Sequence, residues 1–172
     1  MKKLLILSAF VVPVFLASCG GGQPKTESES ASSEVVSGTD EHANHADAAE
    51  VAVQVVSNDQ MKFDLSEIKV KAGEKVVLTL KNEGTLPKES MGHNLVILKP
   101  GTDMADYAMK AINSKDTEYI PSSEEGSVVA HTKLLGPGES DTITFTLEKG
   151  EYEFLCSFPG HYSLMRGKII VE

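Results

Sequence analysis

From residue 51 to the C-terminus the chain is a series of short β-prone runs cut by turn signals, and no other feature narrows its fold as much. The runs are VAVQVVSN, MKFDLSEIKV, KVVLTLKN, HNLVILKP, SVVAHTKLLG, DTITFTLEKG, EYEFLCSF and GKIIVE. They are rich in Val, Ile, Thr, Phe and Tyr, which suit a pleated, half-buried surface. Several alternate with the period of two that turns one side of a strand inward: Val76, Leu78 and Leu80; Ile143, Phe145 and Leu147; Tyr152, Phe154 and Cys156. KAGE, GPGE and EKGE supply turns between runs. About eight strands in about 120 residues predict an all-β sandwich or barrel. Antiparallel pairing is expected, because no helix separates most of the runs. Only TDMADYAMKAIN has helical spacing, with Met104, Tyr107, Ala108, Ala111 and Ile112 on one face and Thr102 or Asp103 to cap its start. It predicts one short helix on a long excursion.

Residues 1–18 read as an export signal rather than as part of the fold. MKK gives a positive start, LLILSAFVVPVFLA an apolar run interrupted by Pro13, and LASC follows. The run is too short for a membrane span. LASC resembles a bacterial lipobox, in which Cys19 becomes the lipidated first residue; small residues precede it and a flexible stretch follows. Residues 19–50 are rich in Gly, Ser, Ala and acid, with almost no large apolar side chain, so they cannot bury enough surface to offset chain entropy. They read as a flexible acidic tether, and residues 51–172 as the folded domain. From residue 20 to 50 one Lys faces seven acids, net −6; residues 51–172 hold 13 Lys and Arg against 18 Asp and Glu, net −5. Without a basic patch, nucleic acid is not an expected partner. If Cys19 carries lipid, Cys156 is the only thiol left. An exported protein keeps a lone thiol unpaired for a reason, and metal ligation is one.

The stretch CSFPGHYSLM places Cys156, His161 and Met165 within ten residues, on a loop containing Pro and Gly. A copper electron-transfer site needs a thiolate, two imidazoles and a weak axial donor, a set that suits Cu(I) and Cu(II) alike. C-x4-H-x3-M at the junction of two strands allows three of these to converge. The fourth comes from elsewhere, and MGHN offers His93 at the start of another strand, with Gly92 allowing close backbone approach. Other readings stand beside this one. A Cys at a strand end is often a small core residue. Cys with His can be a nucleophile and base, but the FPGH loop offers no oxyanion hole or orienting group. His131 reads as a surface strand residue, and His42 and His45 as part of the solvated tether, or as a weak metal trap.

SNDQMKF, LPKESMGHN, AHTKLLGPGE and FLCSFPGHYSLMRG, in this order, resemble the azurin family of cupredoxins across essentially the whole of residues 51–172. The auracyanins, which share a tethered layout, are a second family the chain is similar to. The resemblance implies a Greek-key β-sandwich holding one type-1 copper. It implies ligation by His93, Cys156 and His161, a long axial contact from Met165, and the Gly92 carbonyl opposite. Asn94 would brace the two ligand loops and, with the Phe158 N–H, tune the thiolate. Met61, Leu86, Met91, Phe158 and Pro159 would surround the outer edge of His161 as an apolar patch where electrons are exchanged. The implied role is one-electron transfer, not catalysis on a small-molecule substrate, in the periplasm of a bacterium. The implied partners are redox proteins such as a c-type cytochrome or a terminal oxidase or reductase, with a lipid anchor to the cytoplasmic or outer membrane. Copper storage or delivery through the same site is the alternative. Two features depart from the family. The folded domain lacks the cysteines for its usual disulfide, a loss of roughly 2–4 kcal/mol. Leu95 stands where azurins often hold a core Trp, and the chain has no Trp.

Overall fold

Apolar side chains at every second position commit one face of each long strand to a shared interior, and two sheets close over it. The computed structural model describes residues 50–172; the expected export signal, Cys19, the tether, His42 and His45 lie outside the described residues. The strands are β1 (Glu50–Asn58), β2 (Lys62–Phe63), β3 (Glu67–Val70), β4 (Lys75–Asn82), β5 (Val96–Leu98), β6 (Val128–His131), β7 (Ser140–Thr146), β8 (Gly150–Leu155) and β9 (Arg166–Val171). One sheet runs β2-β1-β4-β7 and the other β3-β9-β8-β5-β6. Val55, Val76, Leu78, Leu80, Phe145, Phe154 and Ile169 form the centre of the core between them. The architecture is the cupredoxin-like all-β fold that the sequence resembles.

The structure departs from the sequence expectation in three places. There are nine strands rather than about eight, because MKFDLSEIKV is split. Asp64 closes the β1–β2 hairpin, its N–H donating to the Val56 carbonyl (3.0 Å) and its carboxylate accepting from the Val56 N–H (2.7 Å). The chain then crosses to the other sheet as β3. Second, pairing is not antiparallel throughout: β1 pairs with β4, and β3 with β9, in parallel. Crossing to β3 and returning through the KAGE turn reverses the chain twice, which brings β4 back alongside β1 in the same direction.

Third, a one-turn helix, α1 (Lys88–Met91), accompanies the expected α2 (Met104–Ala111). Asp103 caps α2, its carboxylate accepting from the N–H groups of Ala105 and Asp106. Met104, Tyr107, Ala108 and Ala111 are buried, whereas Ile112 is exposed. No helix among the described residues is long and apolar enough to cross a membrane.

Candidate metal centre

Three loops meet at one end of the sandwich. The segment between β8 and β9 carries Cys156, His161 and Met165, and it is closed at its base. Leu155 and Arg166 are register partners, and the Cys156 N–H donates to the Met165 carbonyl (2.9 Å). Inside it, the His161 N–H donates to the Phe158 carbonyl (3.0 Å) and the Met165 N–H to the His161 carbonyl (2.8 Å). Ten residues are thus folded back into one closed loop that carries Cys156, His161 and Met165.

His93 arrives from the loop between β4 and β5. Its backbone makes a two-bond bridge with Leu135: His93 N–H to Leu135 carbonyl at 3.1 Å, and Leu135 N–H to His93 carbonyl at 2.7 Å. Leu135 is itself held by Asn82, whose buried amide donates to the Gly136 carbonyl (3.0 Å) and, more weakly, to that of Leu135 (3.4 Å). Gly92 is buried with no room for a Cβ, which would lie 2.6 Å from the Lys88 carbonyl and 3.1 Å from Leu134. Its dihedrals are open to any residue (φ −67°, ψ 146°), so close approach alone requires glycine here.

One donor atom each from His93, Cys156 and His161 lies within 4.8 Å of the other two, and all three residues are buried. The Cys156 sulfur is 3.6 Å from His161 Nδ1, and the two imidazole centroids are 5.0 Å apart. Both ring nitrogens of His93 are buried, and neither makes a well-formed hydrogen bond among the described residues, although the Asn58 backbone lies close enough to oppose the effect of burial on the ring. Buried nitrogens without well-formed hydrogen bonds are costly, and a metal ion would satisfy such a cluster. Burial pushes the Cys156 thiol up to about 12, against the opposing pull of hydrogen bonds from the Asn94 and Phe158 backbones. Burial likewise lowers His161 to about 4, with a further contribution from His93, and lowers His93 below its usual value. Neutral imidazoles beside a thiol that needs a cation to ionise are a soft donor set suited to copper.

Asn94 joins the loops. Its Oδ1 accepts from the Ser157 N–H (2.8 Å), and its Nδ2 donates to the Ser157 hydroxyl (2.8 Å) and the Glu118 carbonyl (3.1 Å). Met165 is fully buried, in an apolar cluster with Cys156, Phe158, Tyr119, Leu134 and Ala111, against which Met61 packs. The Phe158 ring lies 4.6 Å from that of His161 and 5.0 Å, edge-on, from Tyr119. Leu86 is exposed; Met61, Met91 and Pro159 are half-buried. His131 is exposed on β6, away from the cluster.

Sequence reasoning passed over Ser157, Tyr119, Leu134 and the exposed Leu164. Ser157 and Leu164 lie inside the Cys156–Met165 stretch and were open to notice. Leu134 lies inside AHTKLLGPGE but has no donor chemistry to mark it, Tyr119 lies in no motif, and only the fold brings the two near.

The comparisons with known proteins agree with this geometry. A family model described as copper binding proteins, plastocyanin/azurin family, matches residues 49–172. Outer membrane protein H.8 of Neisseria meningitidis serogroup B is 46% identical over 126 residues, covering 71% of this chain and 68% of that one. Azurin of Pseudomonas chlororaphis is 42% identical over 130 residues, 72% of this chain and 100% of that one. Among solved structures, auracyanin of Roseiflexus castenholzii superposes with a TM-score of 0.64 at 36% identity, covering 73% of this chain and 99% of that one. A buried His–Cys–His cluster at the end of a nine-stranded cupredoxin sandwich is therefore a copper site by ancestry as well as by chemistry, and the chain belongs to the plastocyanin/azurin family of copper-binding proteins.

Proposed function

We propose that this chain is a membrane-tethered blue copper protein that carries single electrons between redox proteins. The observation that carries the reading is the convergence of His93, Cys156 and His161 in one buried cluster, each offering a donor atom within 4.8 Å of the other two. His93, Cys156 and His161 would hold the metal, with the Met165 thioether and the Gly92 carbonyl as weaker additional donors. Copper, when bound, supplies the Cu(II)/Cu(I) couple. The chain's own residues keep the site dry and fixed: Asn94 ties the His93 segment to Ser157, and the Phe158 and Asn94 N–H groups soften the charge on the sulfur.

The exposed Leu86 with Met61, Met91, Phe158 and Pro159 forms the apolar docking surface beside His161. Leu164, exposed three residues beyond His161, adds to it. Cys19 carries the lipid and residues 19–50 give reach from the membrane. The partners are a c-type cytochrome or a terminal oxidase or reductase in the periplasm. A fully buried cysteine does not favour rapid release of the ion to an acceptor, so carriage of electrons is preferred over copper delivery. Loading with Cu(II) tests the reading. Intense blue colour is expected in the wild type and its loss in Cys156→Ser, because a hydroxyl is a hard, poor donor. A wild type that binds copper and stays nearly colourless contradicts the ligand assignment.

A further inference from the structure

Behind the metal cluster, two consecutive non-glycine residues occupy the left-handed region: Glu118 (φ 55°) and Tyr119 (φ 64°). Side-chain-bearing L-residues avoid this region because Cβ crowds the carbonyl, and they persist there where the surroundings over-determine them. The surroundings of Glu118 reach every segment of the site. Its carbonyl accepts from Asn94 Nδ2 (3.1 Å), whose other N–H donates to the Ser157 hydroxyl (2.8 Å). Its Oε2 accepts from the Leu134 N–H (3.0 Å), one residue before the Leu135 backbone that bridges His93. Its Oε1 lies 3.7 Å from Lys88 Nζ, on the helical turn that leads to Met91 and Gly92.

We propose that Glu118 is a positioning residue for the copper centre: a clamp that fixes the His93 and Cys156 segments relative to each other before metal arrives. The inference rests on the ligand assignment above. The carbonyl orients Asn94. With Nδ2 engaged by Glu118, Oδ1 faces the Ser157 N–H, and Ser157 follows Cys156 directly. The carboxylate orients Leu134, and through it the two-bond bridge that sets the His93 backbone. The ion pair with Lys88 is long and exposed and adds little. The hydrogen bond to Leu134 is therefore the working part of the side chain. A site held from behind in this way changes little between oxidation states, which is what fast electron exchange needs.

Two substitutions separate the clamp from the charge. Glu118→Gly suits the left-handed backbone and keeps the carbonyl, but removes the acceptor for Leu134. Glu118→Gln loses the same charge and keeps an acceptor oxygen. In copper-free full-length protein, amide hydrogen exchange at His93 is expected to accelerate about tenfold in the Gly variant and little in the Gln variant, while Ser157, reached through the retained carbonyl, stays near wild type in both. With copper loaded, electron self-exchange is expected to slow in the Gly variant and stay near wild type in the Gln variant. Glu118→Asn, which tolerates the same backbone but has a shorter side chain, repeats the Gly result if the Gly variant folds poorly. Equal behaviour of Gly and Gln at His93, or unchanged exchange there in both, overturns the clamp. Failure of the wild type to turn blue is a separate outcome that strikes the ligand assignment, since the copper-free exchange reads Glu118 alone.

Discussion

Cys156 is a thiol that its own surroundings keep protonated. Burial takes it up to about 12, while burial also holds His161 at about 4 and His93 below its usual value. At neutral pH the metal-free site is therefore a neutral thiol between two neutral imidazoles. Binding copper to the thiolate must expel about one proton, and copper affinity should fall as pH falls. A titration in weak buffer with a pH indicator should record about one proton per copper at pH 7 in the wild type and none in Cys156→Ser. No release from the wild type would mean the sulfur is not the ligand.

Tyr107 tells a simpler story. Its hydroxyl is buried without a hydrogen-bond partner among the described residues, and burial, with the nearby Glu124 charge, raises its pKa well above the usual value. The folded state favours the neutral phenol, so this contribution to stability is complete below about pH 10 and declines as pH rises beyond it. Tyr107→Phe removes an unsatisfied group and should leave copper-free protein as stable as wild type or about 1 kcal/mol more stable at pH 7. It should also lose less stability between pH 9 and 11. Urea unfolding at the two pH values checks both; a large loss at pH 7 would reveal a partner for the hydroxyl. His93, Cys156 and His161, which the fold clusters, stood out in the sequence because two share one loop and soft donors are rare. Glu118 could not, since its part depends on a left-handed backbone and on partners 16 and 24 residues away.

Strands were legible because period-two alternation survives wherever one face is buried, as in β4 and β8. What alternation does not carry is partner choice. The parallel β1–β4 and β3–β9 pairs follow from a crossing between sheets, and the break at Asp64 follows from a side chain that ends one ladder. A four-residue helix such as α1 is too short to show a 3.6-residue period. α1 and the turn before it nevertheless shape the surface near the metal. Asp59 holds that turn, accepting from the Thr85 N–H (2.8 Å), the Thr85 hydroxyl (2.8 Å) and the Leu86 N–H (3.2 Å), so Leu86 is presented on an ordered loop. Leu86→Glu places a charge on the proposed docking surface without touching a ligand. It should slow self-exchange markedly while colour and potential stay nearly unchanged, because the charge must be desolvated at each encounter. Equal rates for variant and wild type, measured by NMR line broadening, would move the docking surface elsewhere.

At the scale of the whole molecule, the sandwich serves as a rigid frame for one end. The bridge of His93 to Leu135, the closed loop from Cys156 to Met165 and the Asn94 link between them are all anchored on the sheets that enclose the core. Among the described residues Cys156 is the one free cysteine, so packing and hydrogen bonding hold this frame without a disulfide. Such a frame should keep copper through a full redox cycle. The most direct test is a spectroscopic redox titration of the copper-loaded protein, followed by metal analysis. The account predicts that one electron per copper bleaches the blue band, that reoxidation restores it completely, and that copper stays bound throughout. Release of the ion on reduction, or a band that does not return, would contradict an electron carrier and favour a protein that hands its copper on.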